Sequence, residues 1–222
     1  MCEFSLEKYK AVFLDYTGTM VLDNDKYIRQ LIKLFMANSD LKDPGTVLTV
    51  CWAMIKESEQ KDYLDTFIDT DVLVDRILAI CAEKYHLTGD LEAMHDIWRC
   101  CWIHSPLYPD AEEFFNKCTL PIYVVSNDNL AYLQQSMEEK GLHPAGIISA
   151  EMVRACKPHV EILQEALREA NVLPEEAVMI GDSEKSDVAC AEAAGVQPVL
   201  LDRNGKSTRT DIPVIHLLTD IL

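Results

Sequence analysis

Five short apolar runs constrain the fold more than any other feature of this sequence. They are AVFLD at 11–15, IYVVS at 122–126 and AVMIGD at 177–182, with weaker counterparts GIIS at 146–149 and PVLL at 198–201. Each is rich in Val, Ile or Leu and too short for a typical helix, and helical patterns at 129–140, 158–171 and 184–194 separate the later ones. The alternation predicts parallel β/α units. Unbroken rather than alternating apolar character predicts a sheet covered on both faces. The expected class is therefore α/β, with a Rossmann-like parallel-sheet core. Ligands of such sheets bind beyond the carboxyl ends of the strands. The polar residues closing the three best runs are Asp15, Ser126 and Asp182, so these should gather at one edge.

Between about 22 and 105 the pattern changes. Segments 24–37, 46–60, 66–86 and 90–103 read as helices, with breaks at Asp43-Pro44-Gly45 and Thr88-Gly89 and no convincing strand. The expected organisation is a core built from 1–20 and 106–222, with an all-α cap inserted at 21–105. Met20 to Asn24 would form the flap that couples the two. Polar cap residues Lys56, Tyr63 and Arg99 are candidates for substrate contact. His86, His95 and His104 are spaced too widely for a preorganised metal site and read as ordinary cap residues.

Charge and cysteine usage narrow the partners. Thirty-seven acidic residues against twenty basic ones give a net charge of −17, which argues against nucleic acid or an anionic membrane surface, since both need Lys and Arg. The start MCEFSLEKYK lacks the basic flank and apolar stretch of a signal peptide. No apolar run approaches a membrane span. The eight cysteines form no CxxC pair and sit mostly in apolar surroundings, as in AICAEKY. Reduced, buried thiols in a cytoplasmic protein are the expectation. A monomer and a homodimer are equally compatible with the sequence.

Four motifs stand in order along the chain: FLDYTGT with Asp15, VVSND with Ser126 and Asn127, ACKPH with Lys157, and GDSEKSD with Asp182 and Asp187. Singly they are bland. Asp15 could end a strand, Ser126-Asn127 could cap a helix, and Lys157-Pro158 could be a surface lysine before one. Together the chain resembles the haloacid dehalogenase superfamily of hydrolases and phosphotransferases, with a helical cap of the dehalogenase and phosphoglycolate-phosphatase type. That resemblance implies Asp15 as nucleophile and Mg²⁺ held by Asp15, Asp182 and the Thr17 carbonyl. It further implies phosphate binding by Ser126, Asn127 and Lys157, with Asp187 supporting the metal.

The chemistry is consistent with those residue types. A carboxylate at a strand end can attack phosphorus and form an acyl phosphate, dividing one displacement into two. Two hard oxygen ligands with a carbonyl and waters suit Mg²⁺. Mg²⁺ and Lys157 would offset the repulsion between a phosphate and several carboxylates. The Asn127 backbone N–H and the Ser126 hydroxyl would hold phosphate oxygens near a helix start. The expected substrate is a small phosphorylated metabolite.

Thr17 departs from the pattern. Phosphatases of this superfamily usually carry DxDxT, whose second aspartate protonates the leaving group and then activates water. Here DYTGT puts Thr17 in that acid/base place, as DKTGT does in the P-type ATPases. General acid–base help is worth about 10²–10⁴-fold. The first expectation is thus a Mg²⁺-dependent phosphatase favouring good leaving groups. Alternatives are C–P cleavage of the phosphonoacetaldehyde-hydrolase type, using Lys56 or Lys61, a metal-independent dehalogenase, and a phosphate-binding regulatory protein of low turnover.

Overall fold

The structure is a computed structural model that describes residues 4–22 and 26–222. Its centre is a six-stranded sheet of order β3-β2-β1-β4-β5-β6, parallel throughout. The strands are β1 (Ala11–Leu14), β2 (Ile122–Ser126), β3 (Gly146–Ser149), β4 (Ala177–Gly181), β5 (Gln197–Leu201) and β6 (Val214–Ile215). The four residues of β1 and all five of β4 are buried, because side chains alternating across the sheet find an apolar layer on each face. One layer gathers Val12, Leu14, Val124, Val178 and Ile180, and the other Phe13, Val125, Met179 and Ile148. The two-residue β6 was not visible as an apolar run.

On the C-terminal side of β1 the chain forms α1 (Lys26–Asn38), α2 (Pro44–Lys61), α3 (Thr70–Tyr85) and α4 (Leu91–His104). Asp43 caps α2 by accepting from the Thr46 N–H, and Asp90 caps α4 by accepting from the Ala93 N–H. These helices bury an apolar cluster of their own, including Phe35, Ile77, Leu78 and Trp98. Entry and exit are joined: Leu22 N–H donates to the Pro106 carbonyl (3.0 Å), and Val21 bridges antiparallel to Leu107. Of the expected flap, Met20 to Leu22 completes a tight turn that begins at Tyr16 and makes this junction, while Asp23 and Asn24 lie outside the described residues.

The remaining helices return along the sheet: α5 (Pro109–Lys117), α6 (Leu130–Lys140), α7 (Ala150–Val153), α8 (Glu161–Ala170) and α9 (Ala189–Ala194). The expected helix over 184–194 divides into a wide π turn, Glu184–Val188, and α9. Among the described residues, no helix is long and apolar enough to cross a membrane. Cys51, Cys81, Cys101, Cys156 and Cys190 are buried and take part in no disulfide.

Candidate active site

Parallel pairing of β1 with β2 and β4 brings three strand ends to one edge, and the loop carrying Lys157 folds beneath them. Lys157 is 2% exposed, so the surface-lysine reading of ACKPH does not hold. Its Nζ donates to Asp15 Oδ1 (2.6 Å) and to the Val125 carbonyl (2.9 Å), and lies 2.6 Å from Asp187 Oδ1. Burial alone would lower the pKa of this ammonium, yet Asp15 and Asp187 reverse the balance and raise it. The Lys157–Pro158 peptide is cis, and Asn127 Oδ1 accepts from the Lys157 N–H (2.7 Å) while its Nδ2 donates to the Lys157 carbonyl (3.3 Å). Asn127 therefore pins the lysine loop. The residue capping α6 is Asn129, whose Oδ1 accepts from the Tyr132 N–H.

Asp15, Asp182 and Asp187 each direct a carboxylate oxygen into one cluster, all within 4.8 Å of one another. Asp187 is buried and accepts from the Ser183 N–H (3.0 Å). Asp182 reaches solvent at the mouth. Burial first, then the neighbouring carboxylates, pushes the pKa of both upward, against the opposing pull of the Lys157 ammonium. An all-oxygen donor set of this kind could hold a hard divalent cation. Two glycines make the crowding possible. A Cβ on Gly181 would meet Asp187 Cγ at 2.2 Å, and one on Gly18, at φ +85°, would meet Asp182 Oδ2 at 2.5 Å.

Above the cluster lies a cavity of about 550 Å³, lined from below by Asp15, Thr17, Ser126 and Lys157 and from the helical side by Trp52, Lys56, Glu59 and Trp102. Sequence reasoning therefore brings Asp15, Thr17, Ser126, Asn127, Lys157, Asp182 and Asp187 to one cavity, with Lys56 on its opposite wall. Lys56 is held by Glu59 at 2.7 Å. Lys61 pairs instead with Glu57 on the outer face of α2. Tyr63 and Arg99, the other proposed substrate contacts, do not line the cavity. Tyr63 donates to Glu161 and stacks on His159 at 4.2 Å, and Arg99 donates to the Tyr132 hydroxyl. Both sit where the helices meet the sheet domain, because a polar residue's helix position says nothing of which neighbour covers it. His86, His95 and His104 contact Asp40, Asp71 with Asp75, and Glu139 respectively.

Three residues escaped the sequence reading. Thr19 Oγ1 donates to Asp15 Oδ2 (3.1 Å), holding the second carboxylate oxygen. Arg203 donates to both oxygens of Asp110 (3.0 Å each) and to the Thr19 carbonyl (2.7 Å). Asp128 accepts at Oδ2 from the hydroxyls of Thr17 (3.0 Å) and Ser126 (2.8 Å). Burial, and less strongly Asp15, push its carboxyl up to about 6 despite the two donors. Its only sequence signal is an acid two residues past the end of a site strand.

Sequence and fold comparisons agree with this geometry. The haloacid dehalogenase-like hydrolase family model matches residues 9–195, and the chain belongs to that family of hydrolases. Among curated relatives, a phosphoserine phosphatase of Thermus thermophilus is 33% identical over 103 residues, 44% of this chain and 41% of that one. A phosphoglycolate phosphatase of Colwellia psychrerythraea is 29% identical over 106 residues, 46% of each. The chain thus spans less than half the length of these relatives. Solved structures match across the whole fold. The HAD-hydrolase YfnB of Bacillus subtilis superposes with a TM-score of 0.78 at 16% identity, covering 96% of both chains. L-2-haloacid dehalogenase of Xanthobacter autotrophicus gives 0.75 at 18%, again over 96% of both.

Proposed function

We propose that this hydrolase is a Mg²⁺-dependent phosphatase acting on a small phosphorylated metabolite through an aspartyl phosphate on Asp15. The observation that carries this reading is the convergence of Asp15, Asp182 and Asp187 on one point beside the buried Lys157 ammonium. A metal-free dehalogenase gives the exposed Asp182 carboxylate no task, whereas a divalent cation does. Asp15, Asp182 and the Thr17 carbonyl would hold the ion, with Asp187 behind them. When bound there, Mg²⁺ supplies charge neutralisation for the phosphoryl group. YfnB, which shares the fold, was crystallised bound to magnesium, and the two related phosphatases named above supply the substrate class by analogy.

The chain's own groups do the rest. Thr19 and Lys157 fix the two oxygens of Asp15, leaving a lone pair for in-line attack at phosphorus. Lys157 offsets negative charge as the phosphoryl group transfers. The cavity volume suits a metabolite rather than a polymer, and cap closure would exclude water during transfer. The test is a panel of aryl, sugar and carboxylate phosphates run with Mg²⁺ and with chelator, alongside a haloacid. Mg²⁺-dependent release of phosphate, abolished in Asp15→Asn by at least about 10⁴-fold, is expected. Metal-independent turnover of the haloacid, with no phosphate released, would reverse the assignment.

A further inference from the structure

We infer that Asp128 is a positioning residue for the second half of the reaction, acting through Thr17 to orient the water that releases phosphate from Asp15. The inference rests on the phosphatase reading above. A carboxylate has no proton to give, so a hydroxyl hydrogen-bonded to it must be the donor. Asp128 Oδ2 engages the Thr17 hydroxyl at 3.0 Å and the Ser126 hydroxyl at 2.8 Å. Each hydroxyl has one proton, and both are thereby directed at Asp128. What Thr17 can offer the cavity is a lone pair.

The carboxylate is held for this task. The Asp128 N–H donates to Ser126 Oγ (3.2 Å), and the Asp128 carbonyl accepts from Ser149 Oγ (2.7 Å). Ser149 is wholly buried at the end of β3. Thr17 and Asp128 both line the cavity that contains Asp15. A water over phospho-Asp15 can donate one O–H to Thr17 Oγ1, which leaves its own lone pair turned toward phosphorus. In the step, the water oxygen bonds to phosphorus and the phosphorus–Asp15 bond breaks. The electron pair returns to the Asp15 carboxylate, and the proton lost by water moves to a phosphoryl oxygen of the departing phosphate. Neither Thr17 nor Asp128 changes protonation. Ser126, with its proton committed to Asp128, does not donate to phosphate as the motif suggests. Its hydroxyl belongs to the same brace.

Rapid-quench kinetics with 4-nitrophenyl phosphate and Mg²⁺ separate the two halves, because nitrophenolate leaves before phosphate. In Asp128→Asn, phosphoenzyme breakdown should slow by about 10-fold to 10²-fold while the nitrophenolate burst rate shifts by less than about 3-fold. Thr17→Val, which removes the hydroxyl and keeps the shape, should reproduce this split, and Thr17→Ser should restore breakdown. Trapped ³²P-phospho-Asp15 would accumulate in the first two variants. Breakdown rates like that of the native protein in both, or burst and breakdown falling together in both, would overturn the inference. If the native protein shows neither burst nor Mg²⁺-dependent phosphate release, the phosphatase reading itself fails. A native burst with unsplit variants is a failure of the Asp128 role alone.

Discussion

The two walls of the cavity are built on opposite principles. The sheet-side wall is buried and charged: Lys157 is 2% exposed, Asp187 2% and Asp15 7%, and each is tied to at least one other. The helical wall is aromatic and open, with Trp52 and Trp102 half-buried and the Lys56 side chain 55% exposed even while paired with Glu59. Charges removed from water interact strongly and tolerate no missing partner, whereas a pair with its cation in solvent, such as Lys56 over the mostly buried Glu59 carboxylate, is worth less. The sheet wall is therefore the part of the cavity least tolerant of substitution, and the helical wall the part that can vary at smaller cost to the fold.

That contrast is open to attack by substitution. The largest effect belongs to Lys157→Met, which leaves Asp15 and Asp187 buried without their cation. Urea unfolding should show a loss of about 3–5 kcal/mol, whereas Lys56→Met should lose less than about 1 kcal/mol. Equal losses would erase the distinction between the walls. Next in size is the response to metal. Mg²⁺ at a hundred times its dissociation constant should stabilise the native protein by about 2.7 kcal/mol, and Asp182→Asn should remove most of that gain in a thermal melt. Gly18→Ala follows, at more than about 1 kcal/mol, because its φ of +85° disfavours a Cβ that would also strike Asp182. Metal should no longer stabilise that variant fully. Smallest is Tyr63→Phe, which cuts the link to Glu161 between the helices and the sheet domain. It should leave the unfolding midpoint nearly unchanged and shift KM more than kcat.

Much of this architecture was legible in the sequence because burial on both faces of a parallel sheet writes a continuous apolar word. Residues 11–14, 122–126 and 177–181 were read nearly to their ends. The site residues that were found share a property: each follows directly from a strand end or a distinctive local motif. Those missed depend on space. Asp128 matters because Thr17 reaches it across 111 residues of chain, and Arg203 matters because it bridges Asp110 and Thr19. Tyr63 and Arg99 were misplaced for the same reason, since a helix's polar face does not announce its neighbour. The π turn at Glu184–Val188 escaped because its residues fit an ordinary helix equally well.

The strand order has a consequence in time as well as space. β1 lies between β2 and β4, and its backbone pairs Leu14 with Val124 on one side and Ile180 on the other. During synthesis the strand that ends at Asp15 leaves the ribosome well before β4, its second neighbour, which follows 166 residues later, counted from Leu14 to Ile180. Arg203, which anchors Thr19 behind Asp15, comes later still. The helices between β1 and β2 hold a cluster of their own and can assemble while β1 waits. Asp15 is thus made well before β4 and Arg203, the later segments that complete its setting.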